Sequence, residues 1–164
     1  MFRIFCILFS LLLVACSDPP IEEKTIGVTS DQVLKDLSQQ MILESVREGD
    51  DKTPVALYKN ASGALMLNLI GKKDALKRVA IVTPKKFADP KEAMTNLMMM
   101  GMFVDQAVPA CTDCSQWLYT AIQQDKEQQF KYVGDVRIVL LSNPLLYSVV
   151  VSHKDEPLNY VQKK

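Results

Sequence analysis

The chain has 164 residues, of which 48% are hydrophobic, and its 19 Lys plus Arg balance 19 Asp plus Glu. That length accommodates one domain around a single core. The balanced charge argues against a nucleic-acid binder, whose phosphate contacts need a clear basic excess. An apolar fraction near half, with 23% charged residues, excludes a disordered chain, a collagen and a polytopic membrane protein.

The N-terminus carries one positive charge, Arg3, followed by an apolar run from Ile4 to Ala15 that only Ser10 interrupts. A short basic region followed by about a dozen apolar residues is the layout of a secretory signal. The run is too short to span a bilayer, which takes about 20 residues. It ends in Leu13-Val14-Ala15-Cys16, which resembles the lipobox of bacterial lipoproteins. The resemblance covers the signal region only. It implies cleavage between Ala15 and Cys16, diacylglycerol on the Cys16 sulfur and acylation of the new amino group. Several acyl chains together give a stable anchor where one alone does not. The resemblance also implies an envelope location, and Ser17 after the lipidated Cys favours the outer membrane over the inner.

Residues 1–15 are therefore read as the signal peptide, 16–26 as lipidated Cys and tether, 27–155 as one domain and 156–164 as a loose tail. The tether holds Pro19-Pro20 and Glu22-Glu23 and few apolar residues, the composition of an extended spacer.

Within the domain, Thr29 and Gln32 have capping-box spacing, and Val33, Leu34, Leu37 and Met41 recur at helical intervals. This predicts a helix over about 30–40. Four strand candidates follow, at 42–46, 54–58, 64–70 and 76–82. They are separated by polar turns short enough to imply an antiparallel meander. Leu65, Leu67 and Leu69 alternate with Met66, Asn68 and Ile70, so the third candidate buries one face. Asp89-Pro90-Lys91-Glu92 predicts a helix start, with Asp at the N-cap, Pro at the first helical position and Glu92 completing a capping box. Pro109 stops that helix near Val108. A third helix is predicted from Asp113, with Gln116 as its capping partner and Trp117, Leu118, Ala121 and Ile122 inward. Strands at 133–141 and 145–152 close the domain. The order predicts an α+β fold: a mainly antiparallel sheet of five to six strands with about three helices on one face.

Two clusters carry chemistry. Cys111 and Cys114 are the thiols that remain once Cys6 leaves with the signal and Cys16 takes lipid. In an exported protein such a pair is expected to be oxidised. A structural staple in the turn between helices is the leading reading. A thiol-disulfide redox site is the alternative, though Asp113 between the thiols would raise their pKa, and the βαβ context of thioredoxin-like motifs is missing. A metal site is weaker still, because His153 is the sole imidazole and a closed zinc site needs four ligands.

The second cluster is Met94, Met98, Met99, Met100 and Met102, within nine residues. Met94, Met98 and Met102 are spaced i, i+4, i+8 and share a helical face. Thioethers suit Cu(I), but methionine more often fills core gaps or forms adaptable contact surfaces.

No phosphate loop, nucleophile elbow or HExxH is present in the sequence. The expectation is a non-enzymatic, lipid-anchored envelope protein with no cofactor. It would bind the membrane through Cys16 and an envelope protein partner through Met94, Met98, Met102, Phe103 and Trp117, in an accessory, inhibitor or immunity-type role. The alternatives are a small-ligand or Cu(I) carrier using the Met-rich helix, and a redox protein at Cys111 and Cys114.

Overall fold

The computed structural model describes residues 24–49 and 51–157. The expected signal, the expected lipid site at Cys16 and most of the expected tether lie outside the described residues, as does most of the expected C-terminal tail.

The elements run α1 (Ser30–Leu34), β1 (Met41–Glu48), β2 (Pro54–Asn60), β3 (Met66–Lys72), β4 (Ala75–Pro84), α2 (Pro90–Ala107), α3 (Cys114–Gln124), β5 (Gln128–Val133), β6 (Val136–Ser142) and β7 (Leu146–His153). The seven strands form one sheet in the order β1-β2-β3-β4-β7-β6-β5, with every neighbouring pair antiparallel. Four strands form a meander, α2 and α3 cross over the sheet, and the last three strands fill it from the far edge back to β4.

The α+β expectation holds, but the sheet has seven strands where five to six were expected. The added strand is β5, whose first residues Gln128 and Gln129 read as the polar end of the third helix, over 123–129. Its aromatic residues alternate as Phe130 and Tyr132, too short a pattern to mark a strand until the turn at Gly134-Asp135 is included. Gly134 takes a positive φ of 58°, which a residue without Cβ adopts at no steric cost. The expected strand from 133 to 141 is therefore the second arm of a hairpin. The first helix is also shorter than expected. The Thr29–Gln32 capping box forms in both directions, but the regular helix ends at Leu34. The chain then turns through Leu37 and Gln40 into β1.

Strand register explains the core. Leu67 pairs with Ile81, Ile81 with Val149 and Val149 with Leu140; one layer along, Leu69, Val79, Val151 and Ile138 pair in the same way. These eight residues share one face. They join Met99, Met100, Phe103 and Val104 of α2 and Leu118 of α3 in a single buried cluster. At about 25 cal/mol per Å², each such side chain contributes roughly 1.5–3 kcal/mol on leaving water. The opposite face carries Asn68, Ala80, Val150, Val139 and Phe130 across the same strands, and Phe130 stacks on Tyr132 there.

Glu156 is held against the sheet. Arg137 is buried, and it donates through Nη1 to the carbonyl of Lys154 (2.9 Å) and through Nη2 to the carbonyl of Glu156 (2.7 Å). Arg78 Nη1 meets the Glu156 carboxylate at 3.0 Å.

Candidate functional site

Helix α2 starts at the expected Asp89 N-cap and Pro90, but without the expected capping box from Glu92. Asp89 accepts the backbone N–H of Lys91 at 2.9 Å, and Pro90 opens the first turn. Asn96 is its one fully buried polar side chain; it accepts from Asn60 Nδ2 (3.1 Å), while its own Nδ2 lies 3.4 Å from Thr83 Oγ1. That network fixes the rotation of α2 over the sheet, because any other rotation would bury an unsatisfied amide.

With the rotation set, the methionines divide. Met99 and Met100 are buried in the core, and Met102 is half-buried against it. Met94 and Met98, one turn apart, are 63% and 57% exposed. They line an open groove of about 350 Å³ between α2 and α3, with Leu97 beside them and Tyr119, Ile122 and Gln123 opposite. No charged side chain lines it. The residues expected to form a contact surface are thus only partly brought together. Phe103 is fully buried, so this fold withdraws it from any surface, and Trp117 is half-buried against the core. Phe103 lies four residues before Ala107 on the sheet-facing stripe of α2. The apolar count had hidden this, because the helix is apolar on most sides. Tyr119 and Gln123 were not singled out from sequence, and Ile122 was expected only to face inward; nothing in a single sequence pairs the two helices in this register.

Tyr119 packs against Gly101, and its phenol is pushed above the ordinary tyrosine value by burial and by the nearby Asp105 carboxylate. Its hydroxyl end lies against Gly101, and its ring forms part of the groove wall. Asp105 also accepts the backbone N–H of Ser115 at 3.2 Å, so a residue of α2 caps α3. Asp113 was expected to cap α3 with Gln116, but it makes no side-chain cap bond. Its carboxylate pairs instead with Lys131 Nζ of β5 at 2.9 Å.

Cys111 and Cys114 are joined as a disulfide, with Cα atoms 5.6 Å apart. Cys111 sits half-buried in the turn, and Cys114 is the fully buried first residue of α3. Among the described residues, Cys111, Asp113 and Cys114 form the one cluster of three metal-ligating types. Their sulfurs are bonded to each other, which uses the thiolates a soft metal would need. His153 stands at the end of β7, its Nδ1 3.6 Å from Asp155 and accepting the Asp155 backbone N–H at 3.3 Å. No helix among the described residues is long and apolar enough to cross a membrane.

Comparison with known protein families, with characterised proteins and with solved structures finds no match.

Proposed function

We propose that this chain is a non-enzymatic, lipid-anchored protein of the bacterial envelope that binds a protein partner through the groove between α2 and α3. The observation that carries this reading is the exposure of Met94 and Met98 on an uncharged apolar groove, beside neighbours Met99 and Met100 that the core fully absorbs. Two flexible, polarisable thioethers held at a surface adapt their shape to an apolar partner face. The lipobox-like Leu13-Val14-Ala15-Cys16 supports the anchor, and the outer membrane is favoured by Ser17. Lipid on Cys16 would confine the domain to a membrane surface, raising its effective concentration toward neighbours there. A Cu(I) site gains no support, since Met102 turns toward the core and leaves two thioethers at the surface.

The experiment places a photo-crosslinking residue at Met98 in the full chain, in intact cells. One predominant protein adduct is expected, and Met94→Glu should remove it. An adduct with lipid alone, no adduct, or one that Met94→Glu leaves unchanged overturns the proposal. Separately, Cys16→Ala should release the chain from the membrane fraction; persistent partitioning would overturn the anchor.

A further inference from the structure

The two edges of the sheet are guarded differently. On β5, the side chains facing the helices are fastened to α3. Gln129 Nε2 donates to the Ala121 carbonyl (2.6 Å), and Lys131 pairs with Asp113 on the turn before α3. β1 has no such cover. It is eight residues long, it pairs only with β2 among the described residues, and it is exposed from Ile42 to Glu48. Ile42, Leu43 and Val46 are 58%, 50% and 65% exposed. An edge of this length with apolar side chains on both faces is a template for another strand.

The register of β1 shows which strand fits. Leu43 and Val46 oppose Tyr58 and Ala56, and these oppose Leu67 and Leu69, so both lie on the helix-covered side of the sheet. Ile42, Ser45 and Arg47 oppose Lys59, Leu57 and Val55, on the other side. Glu44 is the extra residue of a bulge between Leu43 and Ser45, and its carboxylate bonds Lys59 Nζ at 2.6 Å on that other side.

We propose that β1 pairs antiparallel with β1 of a second copy of this chain, about a two-fold axis through Ser45. A two-fold axis normal to an antiparallel pair keeps every residue on its own face. Centred on Ser45, with the Glu44 bulge left unpaired in each copy, it sets Leu43 of each copy against Val46 of the other, apolar against apolar on the helix side. On the other side it sets Ile42 against Arg47 of the second copy, one diagonal position from Glu44. The opposite charges then join the existing Lys59–Glu44 pair. Both matches occur twice, because the interface is its own complement. The outward backbone N–H and C=O groups of β1 complete the ladder, and one sheet runs through both copies. This interface is separate from the groove between α2 and α3 and does not depend on it.

Ser45→Cys tests the pairing in the full chain at its native membrane. With Ser45 on the axis, mild oxidation should convert most of the chain to a dimer joined through the two introduced cysteines, with that linkage identified by mass spectrometry. Adding Val46→Lys, an exposed change that leaves the monomer core untouched, should cut the dimer by at least about tenfold, because it sets a lysine into the apolar pairing. Tyr132→Cys, on the opposite edge, should give no dimer under the same conditions. Absence of the Ser45→Cys dimer overturns the proposal. So does equal dimer with Val46→Lys or with Tyr132→Cys, which would mark random collision. An adduct of a different mass would assign the edge to another protein and overturn self-pairing.

Discussion

The end of the Tyr119 ring occupies the space that a Cβ on Gly101 would fill, with Cζ 2.8 Å from that position. Gly101 lies in the middle of α2, where glycine costs about 1 kcal/mol relative to alanine. The cost is offset by the approach it allows: α3 lies close enough for Tyr119 and Ile122 to form the second wall of the groove. Gly101→Ala should therefore destabilise the domain by roughly 1–3 kcal/mol despite its better helix propensity, through overpacking. Urea denaturation should show this, and Tyr119→Ala in the same chain should recover much of the loss. A gain in stability from Gly101→Ala alone would mean that the helices are not in this contact.

The methionines should separate by stability. Met100→Ala opens a cavity in the core and should cost about 2–5 kcal/mol. Met98→Ala, on the exposed wall, should fall within about 0.5 kcal/mol of the parent. Matched urea midpoints for the two variants would contradict the rotation that Asn96 imposes on α2.

The disulfide closes a very short loop. In the chain-entropy treatment a loop of this size contributes about 2 kcal/mol. Replacing Cys111 and Cys114 together with Ser should lower stability by about that amount and leave the crosslink at Met98 intact. Loss of the crosslink in a folded double variant would favour a functional role for the thiols.

The acid groups predict two opposite pH trends. Burial against the sheet holds the Glu156 carboxyl above its ordinary 4.5, opposed by Arg78 and Arg137. A carboxyl whose folded pKa is raised stabilises the fold below its unfolded value, and that contribution is lost as pH rises through the folded value. Asp125, Asp135 and Asp155 are held below their ordinary 3.8, chiefly by hydrogen bonds from Lys85, Lys154 and Lys24 respectively. Their contribution is present above 3.8 and lost as pH falls below it. Glu156→Gln should flatten the decline in urea midpoint above pH 4.5 while leaving the acid limb unchanged. An unchanged decline would assign it to another group.

Much of the fold was legible where a local pattern and tertiary packing agree. The Thr29–Gln32 box, the Asp89-Pro90 start, the stop before Pro109 and the alternation through Leu65, Leu67 and Leu69 each express backbone chemistry that neighbours in sequence supply. β5 was hidden because its polar residues are satisfied by distant partners: Gln129 by Ala121 and Lys131 by Asp113. The extent of α1 failed for a related reason: Leu37 and Met41 are buried, yet the chain reaches those positions through turns.

The candidate site shows the same division. Composition placed five methionines on one helix and two thiols in one turn, because residue identity and spacing are properties of the chain alone. Which methionines meet solvent depended on the buried Asn60–Asn96–Thr83 network and on the Gly101–Tyr119 contact, which join residues far apart in sequence. Phe103 shows the limit: on a helix apolar nearly all round, periodicity cannot say which side faces the sheet. The sequence by itself determined the chemistry available, namely a lipobox-like cysteine, a second pair of cysteines and a methionine-rich helix. Tertiary structure decided which of those groups is buried, bonded or presented, because burial depends on what packs from elsewhere in the chain.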